Sequence, residues 1–226
     1  MICIPVNAAT NEEALLEMER YRAAADCIEL RLDFIERPDP GTLLSAKDCP
    51  VLVTNRKKDE GGTFSGTEEE RVALLAEAVR RGTDYLDIEL SSGRARIAEI
   101  LHAIQRCGNK TKLMVSYHNF ELTPPDKVLR GIIDDAVDCG AAMVKLATFA
   151  RDTDDNLRIL DTIGYGRKRE VAITALCMGE RGRISRVMAP FFGSFFCFAA
   201  GGRGMETAPG QLTAGEMKSI IEIVTS

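Results

Sequence analysis

The chain has 226 residues, 45% hydrophobic and 28% charged, with 19 Gly and 8 Pro, which excludes a disordered or collagen-like chain. A chain of this size buries roughly 70% of its unfolded surface, enough for a core without disulfide or metal staples. Its net charge of −5 argues against a nucleic-acid or anionic-membrane partner held by a bulk basic field, and leaves a local anion pocket and a small-molecule partner open.

Eight short apolar runs rich in β-branched residues follow one another: ICIPV from Ile2, CIELRLD from Cys27, PVLVTNR from Pro50, DYLDIEL from Asp84, KLMVSYH from Lys112, AMVKLAT from Ala142, VAITALC from Val171 and FFCFAA from Phe195. Amphipathic stretches with helix punctuation lie between them. Thr10 with Glu13 and Thr67 with Glu70 have capping-box spacing, Thr123 precedes Pro124 at an expected first turn, and Gly82 and Gly108 mark expected stops. Strands alternating with helices imply a parallel α/β sheet. Eight near-equal units over residues 1–226 suit a single-domain (β/α)8 TIM barrel, with an open doubly wound sheet as the alternative.

In a barrel, alternate strand residues face the interior, and chemistry collects at the C-terminal mouth. On the second strand Ile28, Leu30 and Leu32 share one face and Glu29, Arg31 and Asp33 the other. Those three charges are either a structural ion pair of Glu29 with Arg31 or part of a wet mouth. The next strands repeat the pattern: Arg56 ends the third, Asp87 and Glu89 lie on the fourth, His118 ends the fifth and Lys145 lies within the sixth. Repetition over five strands describes a polar pocket.

Lys145, between Val144 and Leu146, is expected to be buried. Two readings stay open. Desolvation and neighbouring Arg31, Arg56 and Arg186 lower its pKa and free a neutral amine for Schiff-base chemistry, or Glu89 or Glu29 neutralises it as a structural lysine. His118 is one of two histidines, and its neutral ring can take a proton near neutral pH. The other, His102, falls in a helical run and reads as structural. Glu60 in the loop NRKKDEGG either orients His118 or is a solvated loop charge. After the seventh strand GERGRISR offers Arg186 as a fork for a carboxylate. After the eighth, GGRGMETAPGQLT reads as a lid with Thr207 and Gln211 placed for hydroxyl groups.

The seven cysteines, Cys3, Cys27, Cys49, Cys107, Cys139, Cys177 and Cys197, include no C-x-x-C pair and no neighbouring His. They read as reduced thiols of a cytoplasmic protein, with neither a disulfide framework nor a metal site. The start MICIPVNAAT lacks a signal-peptide pattern, and the longest apolar stretch, 189–200, is broken by Gly193 and Ser194. No exported or membrane-spanning segment is expected.

Taken together, E-L-R-L-D from Glu29, R-K-K-D-E-G-G from Arg56, D-I-E-L from Asp87, S-Y-H-N-F from Ser116, V-K-L-A from Val144, I-S-R from Ile184 and T-A-P-G-Q from Thr207 resemble the type I 3-dehydroquinate dehydratase family over essentially the whole chain. The resemblance implies a cofactor-free (β/α)8 lyase, usually a homodimer, that dehydrates 3-dehydroquinate to 3-dehydroshikimate in the shikimate pathway of aromatic amino acid biosynthesis. It makes Lys145 the Schiff-base lysine, His118 the general acid/base and Glu60 its partner. Glu29, Arg31, Arg56, Arg186, Thr207 and Gln211 would bind substrate. The chain departs from the family in carrying Thr207 where serine is frequent, which keeps the hydroxyl, and in lacking the N-terminal hairpin of some members. Asn7 on the first strand is a further candidate polar ligand. Two rivals use the same pocket, a class I aldolase and a non-catalytic ligand-binding barrel. Against the first, the binding set has a carboxylate fork and no phosphate nest.

Overall fold

In the computed structural model, which describes residues Met1–Ser226, each apolar run supplies one strand: β1 Ile2–Val6, β2 Cys27–Arg31, β3 Val51–Thr54, β4 Tyr85–Glu89, β5 Lys112–His118, β6 Met143–Phe149, β7 Ala172–Met178 and β8 Cys197–Phe198. The helices are α1 Asn11–Tyr21, α2 Pro40–Ser45, α3 Glu68–Arg80, α4 Gly93–Arg106, α5 Asp126–Asp138, α6 Asp154–Lys168, α7 Arg183–Phe192 and α8 Ala214–Thr225. The strands form one sheet in the order β7-β6-β5-β4-β3-β2-β1-β8, with every registered pair parallel. This is a nearly closed (β/α)8 barrel, which settles the choice against an open doubly wound sheet.

The seam lies between β7 and β8. Of the run FFCFAA only Cys197 and Phe198 form ladder, and they pair with β1. Across the seam Phe195 N–H donates to the Ile173 carbonyl at 2.8 Å. Two hydroxyls serve in place of ladder bonds: Ser194 Oγ accepts from Ala175 N at 3.3 Å and Thr174 Oγ1 from Phe196 N at 3.2 Å. Phe195 and Phe196 instead turn edge-on to Tyr85, with ring centroids 5.8 and 5.2 Å away. Tyr85 opens β4 and Phe195 precedes β8, so the pair fills the N-terminal end of the barrel.

Strand alternation divides the apolar residues into two bodies. One, of 45 buried residues, lies between strands and helices and takes Ile28, Leu30, Val51, Val53, Leu86 and Ile88. The other, of ten, fills the interior with residues such as Cys3, Cys27, Leu52, Met114 and Phe196. The same inward face becomes polar one step further along β2, β3 and β4, where Glu29, Thr54 and Asp87 sit above Cys27, Leu52 and Tyr85.

Helix signals were legible to different degrees. Thr67 and Glu70 complete a capping box. Thr10 caps Glu13 N, but the Glu13 carboxylate turns to Ala9 N at 3.0 Å, so only half that box forms. The first turn expected at Thr123 and Pro124 comes two residues later. With prolines at 124 and 125, α5 starts at Asp126, and the buried Thr123 hydroxyl ties the loop to β6 through Thr148 Oγ1 at 2.8 Å and the Phe149 carbonyl at 3.0 Å. Gly82 and Gly108 follow the ends of α3 and α4 as expected.

Candidate functional site

All nine residues singled out in the sequence, Glu29, Arg31, Arg56, Glu60, His118, Lys145, Arg186, Thr207 and Gln211, line one cavity at the C-terminal mouth. Gly61, Phe120, Ala147, Leu176, Met178, Phe198 and Ala208 complete its wall. Ala147, Leu176, Met178 and Phe198 are apolar strand residues, which carry no signal that separates a pocket wall from a core, and the uncharged loop residues Gly61, Phe120 and Ala208 carry none either. Asn7 lines a separate cavity with Pro5, Glu17 and Tyr21. It is not part of this site: it lies just beyond β1, exposed. His102 is exposed on α4.

The floor is a buried ion network. Arg56 spans β4, with Nη2 2.5 Å from Asp87 Oδ2 and Nη1 2.9 Å from Glu89 Oε1 and 2.7 Å from Ser116 Oγ. Burial works against the guanidinium, but Asp87 and Glu89 outweigh it and raise its pKa. Burial likewise disfavours charge on Asp87, yet Arg56 and Lys145 hold its carboxyl below the usual range. Lys145 Nζ, buried on β6, lies 3.6 Å from Asp87 Oδ2, 3.8 Å from Glu29 Oε1 and 4.0 Å above the centre of the Phe198 ring. Its nearest charged partners are therefore carboxylates and not the arginines that the sequence suggested, since Arg56 is spent on Asp87 and Glu89. Glu89 is taken by Arg56 and by Arg71 Nη1 at 2.8 Å, so Glu29 is the glutamate that faces the lysine.

The suggested pairing of Glu29 with Arg31 does not form. After Arg31 the chain winds into a 3₁₀ turn over Leu32–Phe34, which brings Asp33 back onto the same guanidinium with contacts of 2.8 and 2.7 Å. The Arg31 guanidinium also stacks over the Phe34 ring at 4.6 Å. Glu29 Oε1 instead accepts from Thr54 Oγ1 at 2.7 Å.

Glu60 does reach His118. Its Oε2 accepts from His118 N and from Nδ1, both at 3.0 Å, which puts the ring proton on Nδ1 and leaves the Nε2 lone pair free. Burial first, then the cations of Arg56, Lys145 and Arg31, depress the imidazole pKa well below its ordinary value, so the ring is neutral at neutral pH. Burial also raises the Glu60 carboxyl, opposed by hydrogen bonds from Ser91 and His118 and by the charge of Arg56. The Gly-Gly pair of the loop explains how Glu60 gets there. Gly61 takes φ +82° to end the turn Lys58–Glu60, and a Cβ on Gly62 would lie 2.0 Å from the Arg56 carbonyl oxygen. Only glycine lets the chain double back that tightly.

Arg186 stands apart. It is 4% exposed, its side chain makes one hydrogen bond, from Nη2 to the Pro209 carbonyl at 3.2 Å, and its Nε has no partner. With no carboxylate to offset burial, its pKa falls to about 10. A buried guanidinium without a counter-ion is costly to the fold, and an anion brought to it would offset that cost. The two glycine-rich loops meet beside it: Gly179 N–H donates to the Pro209 carbonyl at 3.2 Å, and a Cβ on Gly210 would fall 2.4 Å from Gly179 O. Gln211 Oε1 accepts from Thr207 N at 2.8 Å and Oγ1 at 3.2 Å. Its oxygen is thus occupied, and what Gln211 offers a ligand is its N–H donors.

No cluster of three or more His, Cys, Asp or Glu side chains has metal-holding geometry, and no helix is long and apolar enough to cross a membrane. The seven cysteines are free, with Cys3, Cys27, Cys177 and Cys197 buried.

Comparison with known proteins points one way. A family model described as type I 3-dehydroquinase matches residues 2–226. The 3-dehydroquinate dehydratase of Desulfotalea psychrophila is 39% identical, over 97% of this chain and 96% of that protein, and that of Methanocaldococcus jannaschii is 34% identical, over 97% of each. Among solved structures, 3-dehydroquinate dehydratase from Geobacillus kaustophilus superposes with a TM-score of 0.91 at 30% identity, covering 99% of this chain and 90% of that one. A type I 3-dehydroquinate dehydratase from Clostridium difficile, solved with covalently modified comenic acid, gives 0.88 at 26% identity, covering 99% and 91%.

Proposed function

Because the chain belongs to the type I 3-dehydroquinase family, lyases of the dehydration step of the shikimate pathway, we propose that it converts 3-dehydroquinate to 3-dehydroshikimate through an imine on Lys145. The carrying observation is the juxtaposition, in one cavity, of a buried lysine, a histidine held neutral and an arginine with no internal counter-ion. The covalently modified ligand in the Clostridium difficile protein is in keeping with a covalent route.

The amine of Lys145 adds to the substrate ketone, and loss of water gives an iminium. His118 Nε2 then takes a proton from the adjacent carbon, and the iminium receives the electron pair as an enamine. The enamine expels the hydroxyl one carbon further on, and the proton held by His118 leaves with it as water. Hydrolysis of the conjugated iminium releases the enone and restores the amine. The imine is itself the electron sink, so the reaction calls for no cofactor. Glu60 fixes the imidazole tautomer throughout.

Arg186 binds the substrate carboxylate through its free edge. Thr207 and the Gln211 amide meet hydroxyl groups, as do Glu29 through the oxygen that Thr54 leaves open and Arg31 and Arg56 through whatever donors their internal pairs spare. Residues 1–226 act as one catalytic domain, in the cytoplasm, which suits seven free thiols, and as a homodimer. The decisive experiment incubates the protein with 3-dehydroquinate and borohydride and maps the added mass, beside an absorbance assay for the conjugated enone. Enone formation with an adduct on Lys145 is the expected result. Turnover without any trapped adduct would exclude the imine.

A further inference from the structure

The Glu60 carboxylate is held from two sides. Oε2 meets His118, and Oε1 accepts a 2.6 Å hydrogen bond from Ser91 Oγ. Ser91 does not line the cavity. It sits in the 3₁₀ turn Leu90–Ser92 that follows β4, with its backbone at the surface and its hydroxyl turned inward. That turn is itself fastened. Arg71 of α3, 2% exposed, donates from Nη2 to Ser92 Oγ at 2.6 Å while its Nη1 lies 2.8 Å from Glu89 Oε2. Lys57 Nζ reaches the Ser91 carbonyl at 3.3 Å. The β3 loop that carries Glu60 and the β4 turn that carries Ser91 are thereby tied together at several points.

A carboxylate held at only one oxygen can swing about its terminal torsion, which is broad and roughly two-fold. Held at both, it keeps Oε2 against Nδ1 and the imidazole keeps its plane. We propose that Ser91 is a positioning residue for the dehydration, fixing the Glu60 carboxylate in the orientation that presents Oε2 to His118 Nδ1. The inference rests on the reading of His118 as the acid/base group with Glu60 as its partner.

Its test uses Ser91→Ala, Ser91→Thr and Glu60→Gln, each assayed for kcat, KM and the pH dependence of kcat/KM. Loss of the hydroxyl should lower kcat about tenfold and leave KM within about twofold, because orientation of a proton-transfer group is felt in the chemical step. The acid limb of kcat/KM should move to higher pH. Charged groups around Glu60 are Arg56 beyond β3, Glu89 at the end of β4 and His118 at the end of β5. With those unchanged, removing a hydrogen bond to the anion lets burial raise the carboxyl further. Ser91→Thr should restore both readouts. If Ser91→Ala keeps the wild-type kcat and acid limb while Glu60→Gln is slow, Ser91 is not a positioning residue and the inference falls alone. If Glu60→Gln itself behaves as wild type, the Glu60–His118 reading fails and the inference falls with it.

Discussion

A guanidinium buried with an unpartnered Nε is costly to the folded protein, and Arg186 bears that cost without a carboxylate in reach. Such a group is stabilised when an anion arrives. Arg186→Ala should therefore fold at least as well as wild type yet lose about 2 to 5 kcal/mol of substrate binding, read mainly in KM. Arg186→Lys should recover only part, since an ammonium offers a point charge where the site is shaped for a fork. Unchanged kcat/KM in both variants would remove Arg186 from the site. Lys145→Ala should abolish turnover and borohydride trapping with the fold intact, whereas a variant turning over at near wild-type rate would refute the imine. His118→Ala should slow turnover by about 10²- to 10⁴-fold while still accumulating adduct, because the amine remains. The charged members of this set were legible because a charge inside an apolar strand run is anomalous on sequence alone. Phe198 under Lys145, Met178 and Ser91 were not, because an apolar strand residue or a turn serine looks the same whether or not a site lies beside it.

The elements show the same division. Strand periodicity identified which face of β2, β3 and β4 is inward, since alternation is a property of the backbone. What periodicity cannot express is a contact made by the loop that follows. Arg31 was read against Glu29, its neighbour on the same face, and the structure pairs it with Asp33 because a 3₁₀ turn folds the chain back. Thr123 with Pro124 reads as the approach to a helix's first turn, but the helix starts only at Asp126 and tertiary partners on β6 claim the Thr123 hydroxyl. The Gly61–Gly62 reversal is where an element controls the chemistry most directly. Gly62→Ala should displace Glu60, because its Cβ would meet the Arg56 carbonyl at 2.0 Å, and backbone cannot yield there cheaply. Gly82→Ala is the matched control. Its φ of +83° costs about 1 to 2 kcal/mol of stability, with nothing within 4 Å of the new Cβ. Both variants should melt lower, but only Gly62→Ala should lose kcat and the Glu60-dependent acid limb. Equal loss of kcat in the two would show that general destabilisation, not placement of Glu60, limits the rate.

Across the whole molecule, eight strands and eight helices keep an apolar jacket around one charged mouth, and the site's distorted titrations are carried into the stability of the fold. His118 titrates in the native protein well below its ordinary value, chiefly through burial, whereas in the unfolded chain it titrates at about 6.5. As pH falls through about 6.5 the unfolded chain binds a proton that the native state refuses, so stability present at neutral pH is progressively lost. Glu60 acts in the opposite sense. Its native carboxyl is raised, so on acidification the native state binds its proton first and gains stability until the unfolded value is reached. Asp87, held low by Arg56 and Lys145 against burial, adds its loss only below about pH 4, where unfolded aspartate protonates. Between about pH 7 and pH 5 the histidine is thus the destabilising group, and the raised Glu60 carboxyl works in the opposite direction. His118→Gln, which keeps a donor for Glu60 but cannot titrate, should flatten the decline of melting temperature over that interval. Melting curves of the two proteins that ran parallel from pH 7 to pH 5 would mean that His118 is free to protonate in the folded state, and would overturn the reading that burial and the neighbouring cations hold its ring neutral.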